Sequence, residues 1–388
     1  MKIPFVYSVR SLLRRPTTSA ATTGGIALVV LTFVGMLAMA EGFRSVLTGT
    51  GRRDNVTILR AGSDSELISV VRIADAAIIK ALPDVARAPD GRPLATGDVY
   101  VVVARQRKEG KGQAQVPVRG VDPIVFQVRD HVRIVAGRTF EPGRPEIIVG
   151  QALASRVAGL DIGRTMRFGQ QDFAIVGQFT ADGSAFESEV WGENQQLMDV
   201  FRGAIYESLT FRLADPARFD EVKRAIRADP RFSFDVYRES DFFAGQSESI
   251  TAILRFLAFF VTAIMAVGAI FGAVNTMDAL VAYRTREIAL LLTLGFRPRS
   301  ILASFLAEAL VLALVGGIIG VLLALPINGI HTSTMNVQSM AEVVFRLRVS
   351  PKIAAQGLAF AAVMGLLGGF LPARRASRQV IAQALRGE

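Results

Sequence analysis

The chain lacks cysteine altogether and has only two histidines, one tryptophan and five tyrosines in 388 residues. Without cysteine it has no disulfide, no thiolate metal site and no cysteine nucleophile. The two histidines, His131 and His331, are far apart, and neither has a His, Asp or Glu partner at metal-ligand spacing within a helical turn. We therefore interpret them as ordinary polar residues rather than metal ligands.

Short catalytic motifs are missing as well. The stretch Gly110-Lys111-Gly112 lacks the upstream glycine and the hydroxyl residue of a G-x-x-x-x-G-K-[ST] phosphate-binding loop. G-x-S-x-G and H-E-x-x-H do not occur either. We therefore predict a chain that is not an enzyme, with no catalytic residue, metal site or cofactor of its own. Trp191, the single tryptophan, is expected in the core or on a domain surface rather than in a ligand site.

The net charge of +10 is high, and such an excess points to nucleic acid in many proteins. Here, however, much of the excess lies beside apolar runs, where arginines orient membrane helices and meet anionic lipid. We therefore predict contact with the lipid bilayer and no nucleic-acid partner. The residues concerned are Lys2, Arg10, Arg14, Arg15, Arg284, Arg286, Arg297, Arg299, Arg374, Arg375, Arg378 and Arg386.

Four apolar runs are long enough to cross a hydrocarbon core of about 30 Å, which needs about 20 helical residues. Hydrophobic residues make up 51% of the chain, so a large polar part must accompany these spans. Pro326 and Pro372 follow the third and fourth runs, where a helix can stop, and Pro351 lies where the fourth can begin. The runs cover residues 20–40, 251–274, 301–325 and 353–371.

The clustered arginines give these runs a consistent orientation. The N-terminus, the loop 275–299 and the C-terminal tail are basic, so the positive-inside rule assigns all three to the cytoplasm. The predicted fold is an α-helical membrane protein with four transmembrane helices and a large extracytoplasmic α+β domain between the first and second. Residues 1–41 would hold an N-terminal helix and the first span, 42–250 the outer domain with stalk flanks, and 251–388 the other three spans.

The N-terminus has a second interpretation, because a basic leader, an apolar run and Ala38-Met39-Ala40 are typical of a cleaved signal peptide. The run is longer than the roughly 7–15 residues of a secretory apolar region, so we expect a retained helix. Residues 5–15 alternate apolar and basic positions at helical spacing, which predicts an amphipathic helix on the cytoplasmic membrane surface.

The segment 42–250 alternates strand and helix patterns separated by turn residues. Residues 208–237 follow the order strand, helix, strand, which suggests a split βαβ unit. Residues 41–48 and 241–249 can continue the neighbouring spans as helical stalks. The predicted strands are 56–59, 99–104, 115–119, 146–149, 165–168, 173–179, 208–212 and 233–237, and the predicted helices are 74–82, 151–158, 194–201 and 216–228.

Between the second and third runs, residues 283–295 predict a short helix that ends at Gly295. Its apolar face would carry Ile288, Leu291, Leu292 and Leu294. The other face carries Arg284, Thr285, Arg286 and Glu287, of which Arg286 and Glu287 could contact charged groups in a partner's groove.

Two further features fall within the spans. Glu308 is either a proton or substrate site or a buried structural partner, and we favour the second interpretation because it lies near the start of its helix. Three GxxxG pairs predict close helix packing without naming an interface. They are Gly268 with Gly272, Gly316 with Gly320, and Gly365 with Gly369.

The loop wording, Asn275-x-Met277, Tyr283-Arg-Thr-Arg-Glu-Ile-Ala and Leu294-Gly295, resembles the signature of the MacB/FtsX permease family of ABC transporters. The outer segment resembles the same family at 118–123, 146–150, 153–154, 159–163 and 173–177. The tail 371–376 with 384–386 resembles its closing motif, although the second proline is missing near Val380 and Ile381.

The resemblance implies a type VII permease that works by mechanotransmission in the bacterial inner membrane, with its large domain in the periplasm. Its partners would be a second permease copy, identical or related, and two copies of a cytoplasmic ABC ATPase that holds ATP and Mg. It also implies that the ATPase-coupling residues are Tyr283, Arg284, Thr285, Arg286, Glu287, Ile288, Leu291 and Gly295.

Three functions remain open on this resemblance. The first is export from the periplasm or outer leaflet with a periplasmic adaptor, which the size of the outer domain favours. The second is lipoprotein or lipid extraction of the LolC/LolE type. The third is an FtsX-like signalling lever that activates a cell-wall hydrolase. The sequence does not identify the substrate, and a neighbouring gene would discriminate among the three.

Overall fold

The computed structural model describes residues 16–378 other than 109, 111 and 202. The predicted amphipathic helix 5–15 and the closing motif at 384–386 lie outside the described residues. The chain forms two compact units. We call them the helical unit (described residues up to 41, Ala252–Ile330 and from 347 onward) and the sheet unit (Gly42–Thr251 with His331–Arg346).

The elements are numbered in chain order within the described residues. The α-helices are α1 (Pro16–Thr48), α2 (Ile73–Lys80), α3 (Val125–Val128), α4 (Gln151–Ala154), α5 (Asn194–Phe201), α6 (Phe219–Ala228), α7 (Glu239–Tyr283), α8 (Thr285–Thr293), α9 (Pro298–Ala324) and α10 (Pro351–Ser377). The strands are β1 (Asn55–Arg60), β2 (Val71–Arg72), β3 (Ala95–Gln106), β4 (Gln113–Val121), β5 (Arg133–Gly137), β6 (Glu146–Gly150), β7 (Thr165–Phe168), β8 (Gln171–Thr180), β9 (Val190–Glu193), β10 (Ile205–Tyr206), β11 (Ser208–Arg212), β12 (Phe234–Arg238), β13 (His331–Asn336) and β14 (Ala341–Arg346).

Four helices, α1, α7, α9 and α10, are long and apolar enough to cross a membrane. Each contains one of the four predicted apolar runs, so this part of the predicted fold is confirmed. The predicted extensions are also helical, since α1 continues to Thr48 and α7 begins at Glu239. Within the helical unit, Val30 and Phe33 of α1 belong to one apolar cluster with Ala313 of α9 and Ala361 of α10.

The prolines behave differently at the two predicted helix ends. Near Pro326 the α-helix ends at Ala324 and passes into a short 3₁₀ turn, as predicted. Pro372 does not end α10, which continues to Ser377, so that prediction was wrong. A proline removes its own N–H bond to the preceding turn but leaves later residues free to bond. Ala373 and Ala376 are buried in an apolar cluster, and that packing holds the last turn.

The sheet unit is built on a mixed ten-stranded sheet with the order β12-β1-β11-β3-β4-β9-β6-β8-β5, in which β7 pairs with β8. The strands β11 and β12 flank β1 and both run antiparallel to it, with α6 connecting them. This arrangement is the predicted split βαβ unit. Every predicted strand overlaps an observed one, and only the predicted strand 233–237 extends past its observed bounds, by one residue. The strands β2, β5, β9, β10, β13 and β14 were not predicted.

Two apolar cores support this sheet. The first joins Val56 and Leu209 on central strands to Ile79 of α2 and Val222 of α6. The second joins strand residues such as Val149 and Val190 to Leu153 of α4 and Leu197 of α5. Because each strand alternates its side chains between two faces, a helix that covers one face completes each core.

The β13–β14 hairpin, which the sequence analysis did not predict, belongs to the sheet unit although it follows the third long helix in the chain. The Val344 backbone N–H donates to Ser188 Oγ at 3.0 Å. Arg107 Nη2 lies 2.6 Å from Glu342 Oε2. The hairpin is therefore attached to the rest of the unit by backbone, ionic and apolar contacts.

Candidate functional site

The helix α8 lies between two long apolar helices in the chain, as predicted. The helix α7 ends at Tyr283, Arg284 leaves helical geometry, and α8 begins at Thr285. The Val281 carbonyl at the end of α7 accepts from the Arg284 N–H at 3.1 Å and from the Thr285 hydroxyl at 3.1 Å. The break is therefore a single residue long.

Gly295 ends α8 in the predicted manner. Its φ of +85° is a left-handed conformation that glycine adopts without steric cost. Its N–H donates to the Leu292 carbonyl at 3.1 Å, and the Phe296 N–H donates to the Leu291 carbonyl at 3.1 Å. This pair of bonds is a Schellman motif, which satisfies the last carbonyls of the helix.

The buried face of α8 is narrower than predicted. Ile288 and Ala289 are buried, and Leu292 packs against the same apolar cluster as Ile288. Leu294 was assigned to this face, but its side chain is 65% exposed, so that assignment was wrong. At 100° per residue, position 294 lies about 120° around the helix from position 288 and cannot share its face.

The exposed face of α8 combines charge with apolar surface. Arg286, Leu290 and Leu294 follow one another at four-residue spacing and are exposed, and Glu287 lies beside them. Exposed leucines next to an arginine have the composition of a protein interface rather than of an ordinary solvated helix. We call these four residues the α8 stripe.

Arg284, one of the predicted ATPase-coupling residues, lies against the third long helix. Its Nη1 is 3.3 Å from Glu308 Oε2 of α9. The Arg284 side chain is 11% exposed and that of Glu308 only 1%. A buried Glu308 that contacts an arginine fits the interpretation of this glutamate as a structural partner rather than as a proton or substrate site. The pair was missed because its members are 24 residues apart in the chain.

Two more polar contacts cross between helices near this end of the helical unit, and neither was predicted. Thr22 of α1 and Thr276 of α7 are joined through their hydroxyl oxygens at 2.6 Å. Arg375 of α10 lies 2.8 Å from Asp278 of α7, with side chains 66% and 36% exposed. Arg375 was predicted to lie beside a membrane helix and meet anionic lipid, and no partner was predicted for it.

The six GxxxG glycines divide into two groups. A Cβ atom added at Gly316 would lie 2.8 Å from a backbone carbonyl oxygen of α1, and one added at Gly320 would lie 2.6 Å from another. One added at Gly365 or Gly369 would lie 2.4 Å from an alanine Cβ of α9. The remaining pair, Gly268 and Gly272, has open space where a Cβ would point. Four of the six glycines therefore allow close helix approach within one chain.

The sheet unit contains a buried ionic network that the sequence did not indicate. Arg119 Nη1 lies 2.7 Å from Glu66 Oε1, and Arg119 Nε lies 2.7 Å from Glu189 Oε2. Arg129 Nη2 lies 2.8 Å from Asp98 Oδ2, and Arg129 Nε lies 2.8 Å from Glu239 Oε1. All six residues are buried. Two guanidinium groups thus face four carboxyl groups.

Burial shifts the pKa values of the carboxyl groups in this network. Burial raises the pKa of Asp98 and of Glu189 despite the nearby arginines. For Glu66, burial acts in the same direction, but the attraction of Arg119 outweighs it and lowers the pKa. Trp191 is fully buried beside the network, and its Nε1 donates to Glu189 Oε2 at 2.7 Å, so it lies in the core.

The part of the chain that the structure describes holds no group of three or more His, Asp or Glu side chains placed to bind a metal ion.

Comparison with known proteins agrees with this arrangement. The family model for a MacB-like periplasmic core domain matches residues 19–229, and that for an FtsX-like permease C-terminal domain matches residues 259–381. A weaker likeness is to the extracellular domain of the ABC-type transporter YknZ from Gram-positive bacteria (TM-score 0.37, 14% identity, 47% of this chain and 99% of that one).

Curated relatives align over nearly the whole chain. The pyoverdine export ATP-binding/permease protein PvdT of Pseudomonas entomophila is 26% identical over 95% of this chain and 57% of its own length. The macrolide export ATP-binding/permease protein MacB of Nitrosomonas europaea is 25% identical over 100% of this chain and 58% of its own length. The chain thus spans little more than half the length of these relatives. The first family match alone covers more than half of the sequence, and with the second it shows that the chain belongs to the MacB/FtsX family of ABC-transporter permeases.

Proposed function

We propose that this chain is the permease subunit of an ABC exporter in the inner membrane of a bacterium. ATP hydrolysis on separate cytoplasmic ATPase subunits, which hold ATP and Mg, would drive a conformational change in a periplasmic sheet unit. The observation that carries the proposal is α8. It is a short capped helix between two membrane-length helices, and it presents the α8 stripe outward.

The stripe defines how the ATPase would dock. Leu290 and Leu294 would enter an apolar groove of the ATPase, while Arg286 and Glu287 meet charges at its rim. A functional assembly would contain two permease copies, identical or related, and two ATPases. The basic residues around α8 and at the end of α10 support a cytoplasmic location for this face under the positive-inside rule.

The names of the relatives describe pyoverdine and macrolide export. They favour export over lipoprotein extraction and over hydrolase activation. A periplasmic adaptor would then receive the cargo. Among the described residues of the helical unit, Glu308 is the one charged side chain that is buried, and it faces Arg284. Such a bundle offers little to a polar cargo, so the membrane helices would act as a lever rather than as a conduit.

The orientation can be tested on a chain that has no cysteine of its own. An Asp64→Cys variant, exposed on the sheet unit, should react with an impermeant maleimide added to intact spheroplasts. An Ala282→Cys variant, exposed next to α8, should react only after the membrane is permeabilised. Labelling in the opposite order would overturn the proposed orientation.

The docking face can be tested with Leu290→Asp. Because Leu290 is exposed, the change should leave the fold intact, but a carboxylate in an apolar groove should cost about 2 kcal/mol, or roughly 30-fold in affinity. The ATPase is first isolated with the tagged, unmodified chain. It is then titrated against the variant in nanodiscs, and its affinity for the variant is measured. The control is Ile162→Asp, an exposed apolar position on the sheet unit. Equal affinity of both variants for the ATPase would show that α8 does not dock it.

A further inference from the structure

Arg284 differs from the other charged residues of the coupling segment in where its side chain lies. Arg286 and Glu287 are exposed on α8, whereas Arg284 is largely buried against Glu308 of α9. An arginine held in this way is not available to a cytoplasmic partner. This burial sets Arg284 apart from the exposed residues of the predicted coupling segment.

The position of Glu308 gives the contact a mechanical meaning. The end of α8 is joined to the start of α9 by the short link through Phe296 and Arg297. The residue before α8 is held to Glu308, ten residues into α9, which is about 15 Å along the helix at 1.5 Å per residue. Two attachments separated by that distance prevent one helix from pivoting independently of the other.

Packing between the attachments supports the same conclusion. Ile288 of α8 lies in one apolar cluster with Ile301 and Phe305 of α9. The ion pair closes this cluster on the side of Arg284. A buried pair of this kind resists separation because removing either partner leaves an uncompensated charge. By contrast, the pair of Arg375 and Asp278 is largely exposed and contributes little.

We propose that Arg284 and Glu308 are positioning residues that fasten α8 to α9, so that a displacement of α8 by the ATPase moves α9 as part of the same rigid body. This proposal rests on the proposed function. It assigns the α8 stripe to docking and the Arg284–Glu308 pair to transmission of the movement.

The test uses the full chain in nanodiscs with its co-purified ATPase and two spin labels. Labels at Thr293→Cys on α8 and Ala303→Cys on α9 report the distance between the helices, since both positions are exposed and no native cysteine interferes. With the pair intact, the distance should be the same with ADP and with ATP plus vanadate. In R284Q/E308Q, it should change with the nucleotide, and stimulated ATP hydrolysis should fall by roughly tenfold.

The double variant separates transmission from folding, because it neutralises both members at once and so leaves neither Arg284 nor Glu308 charged opposite a neutral residue at the other position. The matched control is R375Q/D278N, which should behave as the unmodified pair does in both measurements. An unchanged distance and unchanged hydrolysis in R284Q/E308Q would overturn the proposal. Failure of that variant to assemble would also overturn it, by showing that the pair serves folding alone. If the unmodified chain stimulates no ATPase, the proposed function fails instead, while the distance measurement still reports on the pair.

Discussion

Replacing Arg119 with methionine is expected to unfold much of the sheet unit. Methionine keeps the apolar stem but removes the guanidinium that lies between Glu66, Asp98 and Glu189. Those carboxyl groups are buried and would be left with Arg129 as the remaining guanidinium of the network. Breaking a buried ion pair by removing one partner costs about 3–5 kcal/mol, a large part of a typical domain's stability.

Trp191 provides the measurement for this expected result. It is the single tryptophan of the chain and donates to Glu189 inside the network, so its fluorescence reports on this core. Urea titration in nanodiscs should give an earlier transition for Arg119→Met. Arg133→Met is the matched control, because Arg133 forms an exposed pair with Asp182 and should change little. Equal transitions for both variants would show that the network does not stabilise the unit.

Replacing Gly369 with isoleucine is expected to separate α10 from α9. A Cβ atom at this position would lie 2.4 Å from the Ala309 Cβ, and Gly365 one turn earlier is as close to Ala313. Neither neighbour is a flexible side-chain end, so the helices themselves must move apart. Overpacking of this kind costs about 1–3 kcal/mol at an ordinary core site and more where two helix backbones are in close approach.

The measurement is the thermal transition temperature of the purified chain in detergent. The transition is monitored as loss of the monodisperse peak in size-exclusion chromatography. The same substitution at Gly268 is the control, since open space surrounds that glycine within the chain. We expect Gly369→Ile to lower the transition temperature strongly and Gly268→Ile to leave it nearly unchanged. A larger effect at Gly268 would indicate that the packing predicted for Gly369 is wrong.

Local patterns in the sequence were enough for the long helices and most of the strands. Apolar runs of membrane length identify α1, α7, α9 and α10, because few other structures contain about 20 consecutive, mostly apolar residues. The helix α8 was also predictable, since its Schellman ending depends on Gly295 and its neighbours alone. Pro372 shows where such reasoning fails: its effect on α10 depended on the burial of Ala373 and Ala376.

Features that depend on distant residues were not predictable in this way. Arginine usually indicates an exposed position, yet Arg119 and Arg129 are buried because carboxyl groups from four separate segments surround them. Strand β9 has the sequence Val-Trp-Gly-Glu, which does not alternate apolar and polar residues, although Trp191 lies on it. At the candidate site, the helix and its stop were predicted, but the Arg284–Glu308 contact requires knowledge of how α9 packs beside α8.

The hairpin β13–β14 has a consequence for how the chain is made. It supplies partners to Ser188 and Arg107 in the sheet unit, but the ribosome reaches it only after α7, α8 and α9 have been synthesised. Contacts between residues so far apart form late and leave earlier segments exposed meanwhile. During biogenesis the sheet unit therefore remains incomplete until three membrane-length helices of the chain, α1, α7 and α9, have been synthesised. A nascent chain that ends before residue 331 would therefore have Arg107 without the Glu342 carboxylate that pairs with it.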